Sequence, residues 1–170
     1  MKKLLCIFIF FILSLNVSAN ITDKFKNFSI LENPKKYEGI VFEDFDGKSI
    51  NLKDIDGKIY IMNFWATWCG PCRAEFDELE LLWKEDDLVI VGVNVAEETN
   101  DVEKFVEAVS STFEIVLDQD NALSSKYNVR GIPVTFLIYN DKVYYKWTGP
   151  ISPERVRNQV VLLKQSGVIQ

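Results

Sequence analysis

An apolar run hands over to a pair of cysteines two residues apart, and then to a helical pattern. Residues 59–76 read Ile-Tyr-Ile-Met-Asn-Phe-Trp-Ala-Thr-Trp-Cys-Gly-Pro-Cys-Arg-Ala-Glu-Phe. Ile59 to Trp65 has the length and composition of a buried strand. Beyond the cysteines, Phe76, Leu79, Leu82 and Trp83 recur at helical spacing. Cys69 and Cys72 therefore sit at a strand-to-helix turn. The first turn of a helix carries unpaired N–H groups and a partial positive charge. A thiol held there ionises more easily, and the thiolate is the reactive form. Cys69, at the mouth of the turn, is the candidate nucleophile. Cys72, one turn further in, is the more buried partner that resolves a mixed disulfide. Pro71 suits an early helical position, where its missing N–H is not needed.

Three plainer readings compete. A zinc half-site uses the same spacing but needs two further ligands. The chain has no His, and its third cysteine, Cys6, lies in an N-terminal apolar run, so a Cys/His zinc site is effectively excluded. A purely structural disulfide would close so small a loop that its entropic stabilisation is slight. Two inert core cysteines are the third option. Strand, turn, Cys-x-x-Cys and helix occurring together favour redox chemistry.

At these residues the chain resembles the thioredoxin superfamily. Asn63 to Phe76 is similar to the TlpA/ResA/CcmG branch of envelope thiol–disulfide oxidoreductases, related to the AhpC/TSA and redoxin families. The resemblance runs from about Val41 to the C-terminus. It implies an α/β thioredoxin-like fold: a central mixed sheet flanked by helices, an N-terminal β-hairpin, and an inserted helix–strand unit after the second core strand. No cofactor or metal is implied.

Composition bounds the partners. Across 170 residues the net charge is −6, and removing the leader lysines Lys2 and Lys3 leaves −8. That argues against nucleic acid, which needs a basic footprint. Lys2-Lys3, the apolar Leu4–Leu15 run and Val17-Ser18-Ala19 have the pattern of a secretory signal peptide over 1–19, with an uncleaved membrane anchor as the alternative. Cys6 lies inside the apolar run and not behind a lipobox. Export places the domain in an oxidising envelope compartment, the periplasm or its equivalent. Residues 20–38 are polar and read as a linker; residues 39–170 form the domain.

Within that domain, Ile40–Asp44 and Ser49–Leu52 are strand candidates about the turn Phe45-Asp46-Gly47-Lys48. Leu88–Val95 is a continuous apolar strand, as in a parallel sheet covered on both faces. Glu97–Ser110 is helical, Phe113–Leu117 a strand, and Asp118 to Asn128 holds a short helix with Leu123 and Tyr127 inward. The unit from Glu97 to Leu117 is the addition that marks the branch. Val134–Tyr139 and Val143–Trp147 form a hairpin across Asn140-Asp141-Lys142. Ser152-Pro153 starts a last helix that buries Val156, Val160 and Leu163 and ends at Gly167.

The remaining site residues come partly from the resemblance. Pro133, in Gly131-Ile132-Pro133-Val134, reads alone as a strand-start proline in the ordinary trans form. The matching proline of the superfamily is cis and packs on the Cys-x-x-Cys, so cis is implied here, with Ile132 offering its backbone to a docked substrate. Asn63 stands where thioredoxin proper carries a buried Asp that moves the resolving thiol's proton, and Asn cannot do so. Glu75 matches an acidic position of ResA-like proteins. Three residues after Cys72, it is expected on the same helix face, raising thiol pKa values by like-charge repulsion or shuttling a proton. An ordinary solvated glutamate is the competing reading. Trp68 is expected exposed beside Cys69, with Gly70 and Pro71 completing the substrate-facing surface. Trp65 serves as core or as a substrate platform; Trp83 and Trp147 are packing residues.

The implied activity is reduction of disulfides in exported proteins, such as apocytochrome c or copper-site assembly proteins, recharged by a membrane thiol donor of the DsbD/CcdA type. Gly70-Pro71 matches thioredoxin, whose potential is about −270 mV against about −120 mV for the oxidant DsbA, which implies a reductant. A Cu(I) metallochaperone using the same dithiol is the alternative. Thr67 lies two residues before Cys69, so the Thr-x-x-Cys pattern of a peroxiredoxin is absent.

Overall fold

The structure is a computed structural model and describes residues 41–43, 49–51, 58–85 and 88–169. The leader, the linker and the 45–48 turn read from sequence lie outside these residues. No helix among the described residues is long and apolar enough to cross a membrane.

Two strands, β1 (Val41–Glu43) and β2 (Ser49–Asn51), pair antiparallel as the expected N-terminal hairpin. The main sheet has five strands: β3 (Ile59–Trp65), β4 (Leu88–Val95), β5 (Glu114–Asp118), β6 (Val134–Tyr139) and β7 (Lys142–Thr148). Their spatial order is β5-β4-β3-β6-β7. β3 is central, parallel to β4 and antiparallel to β6, and all seven of its residues are buried. That burial on both faces is why its sequence is unbroken apolar rather than alternating. Among the described residues, five helices flank the sheet: α1 (Gly70–Ala74), α2 (Phe76–Trp83), α3 (Thr99–Val109), α4 (Ala122–Lys126) and α5 (Pro153–Gln165).

The side chains of Ile61 and Trp65 join one apolar cluster with Cys72, Phe76, Leu79, Val102, Val156 and Leu163, from α1, α2, α3 and α5. Phe64 instead meets Tyr127 and Phe136. This is the period-2 alternation of a strand with two covered faces. Trp65 packs edge-on against Phe76 with centroids 4.6 Å apart, and Phe105 of α3 completes the group. Each such pair adds about 1 kcal/mol beyond the area it buries. Trp65 is therefore core, which removes it as a substrate platform. Trp147 is buried and Trp83 packs half-buried against the same cluster, as packing residues. Gly92 of β4 lies beneath this group. A Cβ there would sit 2.9 Å from both Ile115 and Phe113 side chains, so the close approach requires glycine.

The inserted unit is α3 followed by edge strand β5, starting two residues later than the helix read from sequence. The β6–β7 hairpin is tighter than expected. Asn140 and Asp141 alone form the turn, both with positive φ, and Lys142 already pairs with Tyr139. The helix expected to run unbroken from the cysteines to Trp83 is interrupted. Glu75 caps α1 with φ −95° and ψ −3°, and α2 begins at Phe76. No Gly or Pro marks that joint. In α5, Ser152 caps and Gly167 adopts φ 72° just past the end, while Val160 is half-buried and Gln159 takes a buried place.

Candidate active site

β3 ends at Trp65, and the chain turns over residues 66–69, with the Cys69 N–H donating to the Ala66 carbonyl at 3.2 Å. Cys69 is then the N-cap of α1, and its Sγ accepts a hydrogen bond from the Cys72 backbone N–H at 3.3 Å. The unpaired amide of a first helical turn is thus aimed at the sulfur expected to attack. Cys69 and Cys72 are joined in a disulfide with S–S 2.04 Å. Cys72 is wholly buried, whereas Cys69 keeps 6% of its surface in solvent. Pro71 occupies the first turn of α1, exposed like Gly70, whose α-carbon faces open space. Trp68 is 70% exposed, the most open large apolar side chain among the described residues.

The Ile132–Pro133 bond is cis. Pro133 is buried and Ile132 half-buried. The Pro133 carbonyl accepts from the Gly149 N–H at 2.9 Å, which joins this loop to the segment entering α5.

Glu75 is only 2% exposed. The reading as a solvated glutamate on a helix surface is corrected: the side chain turns inward at the α1–α2 joint. One carboxylate oxygen accepts from Asn63 Nδ2 at 2.8 Å, the other from the Ile151 backbone N–H at 2.8 Å. Asn63 Nδ2 also donates to Thr135 Oγ1 at 2.9 Å, across the β3–β6 pairing that sets the two residues side by side. Burial pushes the Glu75 carboxyl above its ordinary value, and the bonds from Ile151 and Asn63 only partly offset it. Asn63 is amphiprotic: its amide donates to an ionised Glu75, and turned over it offers an oxygen to a protonated one. An Asp at that position would set two carboxylates against each other. The Asn63 Oδ1 atom is buried without a hydrogen-bond partner.

Four site-adjacent residues were not singled out from sequence. Thr135 and Ile151 join the Glu75 cluster from far along the chain. Glu97 and Asn94 form a second cluster, in which Glu97 accepts from Thr67 N–H at 2.7 Å, Thr67 Oγ1 at 2.5 Å and Asn94 Nδ2 at 2.6 Å. Only a predicted contact between the β4–α3 loop and the pre-cysteine turn would have revealed it. No group of three or more His, Cys, Asp or Glu able to hold a metal occurs among the described residues.

The sequence pattern of the AhpC/TSA family matches residues 21–146. The chain is similar to the thiol–disulfide oxidoreductase ResA of Geobacillus thermodenitrificans (strain NG80-2), with 37% identity over 128 residues, 73% of this chain and 74% of ResA. ResA of Bacillus subtilis (strain 168) is also 37% identical over 128 residues, covering 73% and 72%. Among solved structures, StoA from Bacillus subtilis superposes with a TM-score of 0.62 at 26% identity, over 74% of this chain and 96% of StoA. A Chlorobium tepidum protein described as thiol:disulfide interchange protein DsbE gives 0.68 at 29% identity, over 78% and 97%. The chain belongs to the AhpC/TSA family, among its thioredoxin-fold thiol–disulfide oxidoreductases.

Proposed function

We propose that the protein works in the bacterial envelope as a reductant of disulfides in exported proteins, with apocytochrome c or copper-site assembly proteins as the substrate class. The observation that carries this reading is the Cys72 amide aimed at Cys69 Sγ, with Cys69 the sulfur that retains contact with solvent. In the reduced enzyme the Cys69 thiolate attacks one sulfur of a substrate disulfide. A mixed disulfide forms and the first substrate thiolate leaves. The Cys72 thiolate then attacks Cys69 Sγ, the second substrate thiolate leaves, and the enzyme disulfide closes. Two electrons have passed to the substrate. A membrane dithiol donor of the DsbD/CcdA type returns them.

Trp68, Gly70 and Pro71 supply the exposed surface beside the attacking sulfur, and the Ile132 backbone ahead of cis-Pro133 holds the substrate strand. Glu75, buried three residues after Cys72, takes and returns the proton as Cys72 cycles between thiol and thiolate. The leader exports the chain or anchors it.

Cys72→Ser, expressed in the envelope, traps mixed disulfides through Cys69 whose partner can be identified; Cys69→Ser traps none and abolishes turnover. Recovery of no covalent partner from Cys72→Ser would overturn dithiol exchange. Copper titration of the reduced protein separates the other use of this dithiol: tight Cu(I) binding without disulfide turnover would make it a metallochaperone.

A further inference from the structure

We infer that Glu97 is a positioning residue, which fixes Thr67 and through it the substrate-facing Trp68. The inference rests on the disulfide-exchange reading above. Thr67 and Trp68 are the two central residues of the turn closed by the Cys69 N–H and Ala66 carbonyl. In such a turn the N–H of the first central residue has no partner within the turn. Here Glu97 takes it, at 2.7 Å, and takes the Thr67 hydroxyl with its other oxygen. Both donors of one residue are thus held by one carboxylate, 30 positions away. Charge-assisted bonds of this kind are about twice as strong as neutral ones.

The surroundings of Glu97 are shaped for this task. It precedes the N-cap of α3, Glu98, whose side chain makes no capping bond. Glu97 could have served the helix start beside it, yet it reaches back to the redox turn. Ala96 has φ 57°, a left-handed conformation costly for a residue with a Cβ, and it redirects the chain between β4 and Glu97. The carboxylate is braced by Asn94 Nδ2 at 2.6 Å, and the Glu97 carbonyl by Gln119 Nε2 at 3.3 Å. Asn94 lies in β4 opposite Trp65, the last residue of β3. The inserted unit also touches the redox helix itself, where the Arg73 guanidinium lies 5.6 Å from the Phe105 ring centre. So the insertion holds both flanks of the cysteine pair. Trp68 itself, 70% exposed, has little to hold it except the turn.

The consequence is a division between substrates. A small disulfide needs only the Cys69 sulfur. A protein disulfide also needs Trp68 in place. The test uses the full chain, with insulin as the protein disulfide and dithiothreitol regenerating the dithiol each turnover, and with 5,5′-dithiobis(2-nitrobenzoate) as the small disulfide, reduced in a single turnover by the pre-reduced chain alone. Thr67→Val should raise KM for insulin about tenfold, the worth of one hydrogen bond to a charged group, and Glu97→Ala, which loses both bonds to Thr67, by at least as much, with kcat little changed in either. The rate with the small disulfide should stay within about twofold of wild type on the same scale. Thr67→Ser, which keeps both donors, should restore the insulin KM. Thr67→Val preserves shape, so it reports even where Glu97→Ala fails to fold. Equal losses on both substrates, or an insulin KM unchanged in both variants, would overturn the inference while leaving the reductase intact. A wild-type protein that reduces neither probe would remove the reading beneath it, and this inference as well.

Discussion

Glu75 and Asp118 are both carboxylates with 2% of their surface in solvent, yet their surroundings differ in kind. Asp118, at the end of β5, accepts from Leu123 N–H and Ser124 N–H at 2.8 Å each and from Ser124 Oγ at 2.5 Å. All its donors come from the next six residues, and they are the orphan amides of α4. The N-cap of that helix, Asn121, makes no side-chain capping bond to the helix backbone, so Asp118 caps it from three residues upstream. Glu75 has two donors, 12 and 76 positions away in sequence. Local donors make a cap, which holds one helix end. Distant donors make a joint, which ties the redox helix to β3 and to the segment entering α5. A joint with few donors leaves its carboxyl poorly solvated, hence the raised pKa of Glu75.

The contrast can be broken by substitution. Asp118→Ala should have the largest effect on stability, about 3 kcal/mol in denaturant melts, because two backbone amides and a hydroxyl lose their acceptor in a buried site. Below its melting temperature the variant should still reduce insulin at the wild-type rate. A large loss of turnover would show that Asp118 does more than cap.

Glu75→Gln should cost less, about 1 kcal/mol or below at neutral pH, but change the pH dependence. A carboxyl whose folded pKa is raised binds its proton more tightly in the folded state. Its stabilising contribution is complete below the ordinary glutamate value and is lost as pH rises through the folded pKa. Wild-type stability should therefore fall across that interval, and the Gln variant should lack this fall. With the neighbouring charge gone, alkylation of Cys69 should also move to lower pH. An unchanged alkylation profile would reduce Glu75 to a structural joint. Thr135→Val should change least, costing about 1 kcal/mol with no shift in the pH dependence, since Asn63 loses one neutral acceptor.

The same contrast explains what could be read from sequence. Strand composition, the cysteine spacing and Pro71 are local signals, and they located β3, the turn and α1. The likeness to a known superfamily supplied cis-Pro133, which local preference alone would have made trans. The sequence also marked Asn63 and Glu75 as singular positions. It did not bring them together, because their bond depends on how α1 stops and on where Ile151 arrives. The unbroken helix expected through Glu75 failed for that reason: every local preference permits helix there, and the interruption coincides with a side chain drawn inward by partners elsewhere. Glu97 was read only as the start of a helix. Its role beside Thr67 depends on the left-handed bend at Ala96, which no glycine announces.

The bond between Glu75 and the amide of Ile151 also sets an order of assembly. A ribosome releases the cysteine pair long before residue 151. Until that amide arrives, the carboxylate can meet water instead. A chain cut short before α5 would still carry both sulfurs and the strand that presents them, but Glu75 would lack one of its two anchors. The surroundings of Glu75 are thereby complete only when the segment entering α5 is in place.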